Sequence, residues 1–137
     1  MGIEWGTSKE EFNKVLLNNR FQFFPESSDI SEHYEGESPA GKINIACEFF
    51  NDQLCYVSAF IFTYIPIKQV AQALSEKYGG YEYQSEEYEE RYIWDDPNST
   101  CLLLLYFTLL KENPRICACY TYHPLYNKKL LSDMRIF

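Results

Sequence analysis

The sequence predicts an α+β fold of two layers, in which a curved antiparallel sheet carries two helices on one face. A helix with capping residues, followed by strand-like segments, occurs twice, over residues 7–62 and again over 66–122. This order indicates an internal αβββ duplication, with three or four strands after each helix. The aromatic content of 18%, with 12 Tyr and 10 Phe, also favours strands, whose pleated surface suits large rings. Sequential strands joined by turns pair antiparallel by default.

The first helix is predicted over residues 8–18. Either Thr7 or Ser8 can cap it, with a glutamate three residues later reaching back to the cap. Phe12, Val15 and Leu16 then recur at helical spacing and form one apolar stripe. Trp5, just before the cap, is a candidate core anchor.

The strands of the first repeat are of two kinds. The polar stretch that follows the first helix predicts an irregular strand over 30–34 and a turn through 36–41. Residues 42–62 predict a hairpin, because alternating apolar residues flank Asn51-Asp52, and Asn and Asp tolerate the left-handed backbone of a tight turn.

The second repeat begins with a helix predicted over 66–78. Pro66 suits a first turn, and Gly79 suits the position after the last turn. Strands are predicted over 88–94, with a shorter one before it, and over 100–110 and 115–122. A short helix is predicted over 126–131.

Four segments resemble a known group of proteins. They are Gly6-Thr7-Ser8-Lys9-Glu10-Glu11 at a helix start, Phe50-Asn51-Asp52-Gln53-Leu54 at a hairpin, Glu76-Lys77-Tyr78-Gly79 at a helix end, and Trp94 before Leu102-Leu103-Leu104. Together they resemble small uncharacterised bacterial proteins with a duplicated helix-plus-meander fold, similar to the β-lactamase inhibitory proteins and the outer-membrane barrel-assembly accessory lipoproteins. The resemblance implies the fold and a binding role, and it assigns no site residue.

The composition and charge argue against two classes of partner, nucleic acids and membranes. The 137 residues predict a single domain over 1–137, and the net charge is −8. An acidic surface repels polyanions, and nucleic-acid binding needs clustered Lys and Arg, so we expect no nucleic-acid partner. The longest apolar run, residues 101–110, is too short to span a bilayer, so we expect no membrane association.

The five cysteines indicate in which cellular compartment the protein is located. Their number is odd and each lies in an apolar strand-like run, unlike the even counts of secreted disulfide scaffolds. We therefore expect five reduced, metal-free thiols and a cytoplasmic location. Export after removal of a leader, with Met1-Gly2 standing in its place, is the alternative.

The candidate binding site is the stretch from Glu82 to Asp96, where glutamates alternate with tyrosines. Tyrosine is enriched at interfaces, and an acidic face attracts a basic protein partner. The alternative is an ordinary solvated strand face. The residues predicted to bind are Tyr83, Glu86, Glu87, Tyr88, Glu90 and Tyr92.

Two constellations could support chemistry. Cys117-x-Cys119-x-x-x-His123 places two thiols on one strand face with an imidazole nearby, which could hold zinc. Cys101 with His123 could form a nucleophile and base pair, and His33, the other histidine, is expected in a polar loop. No Cys-x-x-Cys turn or strained elbow supports either site, so we expect no catalytic residues, no metal and no cofactor.

These observations favour a non-enzymatic protein-interaction or binding domain. The alternative is a small-ligand-binding protein or minor enzyme that uses a pocket between the sheet and the helices. A dry, aromatic-lined pocket with a histidine and a carboxylate would favour the alternative, and a filled core with a flat tyrosine–acid face would favour the first. The oligomeric state is left open.

Overall fold

The architecture comes from a computed structural model that describes residues 3–23, 31–38, 41–107 and 115–134. The first repeat consists of α1 (Lys9–Asn18), β1 (Gln22–Phe23), β2 (Ser31–Ser38), β3 (Gly41–Phe50) and β4 (Gln53–Phe62). The second consists of α2 (Ile67–Tyr78), β5 (Glu82–Glu86), β6 (Glu89–Asp95), β7 (Thr100–Phe107) and β8 (Arg115–Tyr122). A third helix, α3 (His123–Met134), follows.

The eight strands form one antiparallel sheet in the order β1-β2-β3-β4-β8-β7-β6-β5. Each repeat is a four-stranded meander, and the two meanders join where their last strands, β4 and β8, pair with Ser58 opposite Cys119. The predicted fold class is confirmed, and each repeat has four strands in the described chain. This join brings the starts of the two repeats to opposite edges of the sheet.

Helices α1 and α2 lie on the same face of the sheet. Strand register places Cys47, Val57, Tyr120, Leu102 and Trp94 in one row across five strands, from β3 to β6, so their side chains share a face. At the β3 end, this row belongs to the core cluster under α1, and at the β6 end to the cluster under α2. Two separate cores therefore lie side by side on one face.

Helix α3 packs on the opposite face. Glu48 follows the core residue Cys47 and so points away from α1. Its carboxylate pairs with Lys129 Nζ at 3.2 Å, and the Tyr126 ring stacks on Tyr56 with centroids 5.6 Å apart. The helix predicted over 126–131 is longer than expected, because Pro124 is tolerated in its first turn, where no helical N–H bond is lost.

The local signals at the helix ends and the hairpin are confirmed. Ser8 Oγ accepts the backbone N–H of Glu11 at 3.3 Å, which caps α1. Gly79 follows α2 with a φ of 87°, which a side chain would strain. Asn51 and Asp52 turn the hairpin with φ values of 49° and 58°.

The turn predicted through 36–41 is wrong over its first part, because β2 continues to Ser38 and Gly36 pairs with Ile43. Glycine occurs there for space: a Cβ would lie 2.6 Å from Cδ1 of Phe21, whose ring covers the strand. His33 also lies on β2, so its placement in a loop is wrong. Residue 30 and residues 108–110, which belong to two of the predicted strands, lie outside the described residues.

Candidate ligand-binding cleft and acidic strand edge

A cleft of about 710 Å³ lies between the two cores, on the face that carries α1 and α2. Both core clusters contribute to its lining, and the paired strands β4 and β8 supply Leu54, Val57 and Tyr120. The residues that line the cleft are Ile3, Trp5, Phe12, Leu16, Ile45, Leu54, Val57, Tyr78, Gly80, Trp94, Asp95, Asp96, Ser99, Thr100, Leu102 and Tyr120.

Trp5 forms one wall of the cleft and joins the two repeats. It belongs to the segment before α1, yet its Nε1–H donates to Thr100 Oγ1 at 3.0 Å, and its ring stacks on Tyr122 with centroids 5.7 Å apart. Backbone hydrogen bonds between Gly6 and Leu54 (3.0 Å) and between Leu54 and Thr7 (2.8 Å) hold this segment along β4. The indole is therefore fixed in place before any ligand binds.

Trp94 forms the facing wall. Its Nε1–H donates to the backbone oxygen of Gly79 at 2.8 Å, just after the end of α2, and the side chain is only 6% exposed. The polar atom of each indole is thus already satisfied within the protein. The two rings contribute aromatic surface to the cleft lining, and aromatic surface suits apolar groups and cations.

The end of the cleft formed by the β6–β7 turn is acidic. Asp95 and Asp96 line it with Ser99 and Thr100, and the turn is closed by backbone bonds from Asp96 N to Thr100 O (3.1 Å) and from Ser99 N to Asp96 O (2.9 Å). Among the residues that line the cleft in the described chain there is no Lys, Arg or His. The Asp95 carboxylate points to the opposite face of the sheet, toward His123. Asp96 is therefore the carboxylate with which a cationic or N–H-rich group of a ligand could pair.

The histidine that begins α3, His123, lies beside the β6–β7 turn. The Nε2–H of His123 donates to Asp95 Oδ1 at 2.8 Å, and its backbone N–H donates to Ser99 O at 2.8 Å. Cys101 is the third member of this group: its Sγ, Asp95 and His123 offer donor atoms that all lie within 4.8 Å of one another. These three side chains could hold a metal ion.

The same geometry does not support the nucleophilic pair of Cys101 and His123. Burial, and then the neighbouring Asp95 carboxylate, raise the pKa of Cys101. A raised pKa keeps the thiol protonated at neutral pH, whereas a nucleophilic cysteine needs a lowered one. His123 donates to Asp95, so the carboxylate and not the thiol is its hydrogen-bond partner.

The predicted zinc trio of Cys117, Cys119 and His123 is only partly assembled. The two thiols do share a face of β8, with their Sγ atoms 3.5 Å apart. His123 bonds instead to Asp95, 28 residues away in sequence. Sequence spacing suggested the wrong neighbours for this imidazole, because Asp95 approaches it only through strand pairing.

The acidic, tyrosine-rich stretch forms an outer edge of the sheet. All five side chains of β5 are exposed, and Tyr88, in the turn to β6, is 50% exposed. Glu86 and Glu87 are exposed as well, at the end of β5 and in the turn. Four of the predicted binding residues are therefore accessible: Tyr83, Glu86, Glu87 and Tyr88.

The other two predicted residues have different environments. Tyr92 is 2% exposed and packs in the core, with the Tyr81 and Tyr83 rings 4.9 and 5.0 Å from it. Glu90 is half-buried on the helix-bearing face, where its Oε1 accepts the hydroxyl of Tyr83 at 2.8 Å. Because Glu86 points to the opposite face, the six residues do not form one flat surface.

No protein-family model, curated protein or solved structure matches this chain. The resemblance to the inhibitory proteins and accessory lipoproteins thus stays a prediction. Among the helices described, none has the length and apolar character needed to cross a membrane.

Proposed function

We propose that this protein is a small-molecule-binding domain whose ligand occupies the cleft between the two repeats. The observation behind the proposal is the cleft itself, with two fixed indoles in its lining and the acidic residue Asp96 at one end. Its volume of about 710 Å³ falls within the roughly 300–1,000 Å³ usual for ligand pockets. An aromatic lining and a carboxylate are two of the features expected of the ligand-binding alternative, whereas the expected histidine is not among the described residues that line the cleft.

The lining favours a ligand with an apolar or aromatic body and a positively charged nitrogen. Apolar side chains, including Val57 and Leu102, form the floor, and burial of ligand surface against them supplies most of the binding free energy. The carboxylate of Asp96 at the acidic end would orient the charged nitrogen. Anionic ligands would meet like charge there, so we expect them to be excluded.

We propose binding without chemistry. The cleft lining that the structure describes contains carboxylates and hydroxyls, and no histidine, cysteine or lysine. The usual nucleophiles with an adjacent base are therefore missing from the lining.

Tryptophan fluorescence tests this function directly, because the chain has two tryptophans and both line the cleft. We expect benzyltrimethylammonium and phenethylamine to change the emission saturably, and 3-phenylpropionate to have no effect at the same concentrations. Asp96→Asn should weaken binding of the cations roughly tenfold, since a charge pair at moderate burial is worth about 1–4 kcal/mol.

Glu87→Gln is the matched control, because it removes an exposed carboxylate from the β5–β6 turn, away from the cleft. Equal response to the cations and to 3-phenylpropionate, or no saturable response to any of the three probes, would contradict the proposal. An unchanged melting temperature in Asp96→Asn would show that the variant acts on binding and not on folding.

A second candidate function is protein interaction at the β5 edge, in keeping with the tyrosine–acid stretch and a basic partner. The observation that favours it is the exposure of every β5 side chain at the outer end of the sheet. An exposed edge strand can accept an added strand from a partner, and acidic side chains beside it would attract basic segments.

This second function is tested by surface plasmon resonance against partners captured from the native host, over a range of salt concentrations. Replacing Glu86 and Glu87 with Gln should slow association at low salt and leave the melting temperature unchanged, because exposed charges contribute little to stability. Identical association rates for variant and parent would remove the support for it.

A further inference from the structure

Three side chains of the kinds that bind zinc meet where two strands and a helix come together. Asp95 is the last residue of β6, Cys101 is the second residue of β7, and His123 is the first residue of α3. Asp95 pairs with Cys101 across the strands, so both point to the face that also carries α3. The carboxylate oxygen, the thiol sulfur and the imidazole nitrogen all lie within 4.8 Å of one another.

The distances suit a zinc ion after small movements. With zinc bonds of about 2.0–2.3 Å, tetrahedral coordination places neighbouring donor atoms roughly 3.3–3.7 Å apart. Asp95 Oδ1 and His123 Nε2, now 2.8 Å apart, would have to separate by less than about 1 Å. All three side chains are partly exposed, so an ion could enter from solvent.

The backbone around the cluster is held in place. The His123 N–H donates to Ser99 O at 2.8 Å, and the Asp96 N–H donates to Thr100 O at 3.1 Å. These bonds tie the start of α3 to the β6–β7 turn that positions the other two donors. The donor set is therefore preorganised by contacts that do not involve the donor atoms themselves.

We propose that Asp95, Cys101 and His123 bind one Zn²⁺, with water in a fourth coordination position. A carboxylate, a thiolate and an imidazole are the donors that zinc accepts, whereas Ca²⁺ and Mg²⁺ take oxygen ligands. Coordination releases the thiol proton of Cys101 to solvent and requires the imidazole tautomer with its proton on Nδ1. One carboxylate and one thiolate then balance the double charge of the ion.

If the site binds zinc, the prediction of metal-free thiols changes for Cys101 and for no other cysteine. The zinc proposal is independent of the ligand proposed for the cleft. The competing explanation is that the Asp95–His123 hydrogen bond merely anchors the start of α3. That explanation needs no thiol, so Cys101 distinguishes the two.

Cobalt titration of the reduced full-length chain tests the site. We expect one Co²⁺ per chain, a thiolate-to-cobalt charge-transfer band in the near ultraviolet, and displacement of the cobalt by zinc. Cys101→Ser should abolish the band, and Asp95→Asn should weaken cobalt binding at least about tenfold, since even groups that only support metal ligands are worth 10–100-fold.

Cys119→Ser is the matched control, because it removes another half-buried thiol from the same face of the sheet. The band should persist in this variant. No cobalt binding by the parent, or loss of the band in Cys119→Ser with retention in Cys101→Ser, would overturn the proposal. If Cys101→Ser does not fold, as judged by thermal melting without metal, His123→Gln decides: loss of cobalt binding supports the site, and unchanged binding overturns it.

Discussion

The two repeats share one order of elements and differ in the size of the side chains that each helix buries against the sheet. In the first repeat, Phe12 and Leu16 of α1 are 1% and 0% exposed, and the Phe12 ring meets Phe49 edge-on at 5.8 Å. In the second repeat, α2 buries Ile67 and the small Ala71, and the rings of Tyr92 and Trp94 belong to the same cluster on the sheet side. The same architecture thus tolerates an exchange of volume across the contact, as close packing requires.

The repeats also differ in how much of each is covered. Helix α3 packs on β3, β4 and β8, so β3 and β4 of the first repeat have a helix on both faces. In the second repeat β5 forms an exposed edge, and the β6–β7 turn closes the acidic end of the cleft. The first repeat therefore contributes the better-covered core, and the second contributes most of the polar groups near the cleft.

The largest expected effect comes from removing a buried side chain where α1 of the first repeat packs on the sheet. Leu16→Ala should lower the free energy of unfolding by roughly 2–5 kcal/mol, because a fully buried leucine leaves a cavity that the sheet cannot fill. Urea denaturation measures this loss. Leu17→Ala, at a position 51% exposed, is the matched control and should change stability little. Equal losses at the two positions would show that α1 is not held by the face seen here.

Adding volume where α2 of the second repeat packs on the sheet should have a smaller effect on the unfolding free energy. Ala71→Leu adds volume beneath α2, against Tyr92 and Trp94, and should cost roughly 1–3 kcal/mol of unfolding free energy. Ala73→Leu, on the exposed side of the same helix, makes the identical change without the contact. A neutral Ala71→Leu variant would mean that space remains under α2, and the exchange of volume between the repeats would no longer explain their difference.

The smallest expected effect is on alkaline stability. Burial, followed by the Glu32 carboxylate, raises the pKa of Cys47 in the first core to about 12. The folded state then holds this proton more tightly than the unfolded state, in which a thiol has a pKa of about 8.5. The resulting stability is complete below that value and is lost as the pH rises toward 12.

Between pH 8 and pH 10 this loss should amount to about 1–2 kcal/mol for Cys47. Cys47→Ala should remove that part of the pH dependence, whatever the cavity costs at pH 8. Urea denaturation of both proteins at the two pH values, with a reductant present, measures the difference. Identical pH dependence in parent and variant would show that Cys47 ionises as easily in the folded protein as in the unfolded chain.

Some features of this protein depend only on residues that are close together in the sequence, and the sequence alone determined them. The cap of α1, which the sequence left open between Thr7 and Ser8, the end of α2 at Gly79 and the turn at Asn51-Asp52 depend on neighbours a few residues away, so local patterns predicted them. The alternation of apolar residues likewise predicted β3, β4 and the two-layer class. These signals are local because a turn, a cap or an amphipathic face is formed by adjacent residues.

Other features depend on contacts between distant residues, and only the tertiary structure decided them. Gly36 has the character of a turn residue, but it lies in β2 opposite Ile43, where the Phe21 ring leaves no room for a Cβ. Tyr92 belongs to the stretch in which tyrosines and acids are interleaved, yet it is buried because the helix-bearing face of β6 lies under α2. The cleft brings Trp5 to Trp94, and His123 meets Asp95 instead of the thiols near it in sequence. Several partners are chemically suitable for each of these side chains, and the pairing of β4 with β8 determines which of them comes within reach.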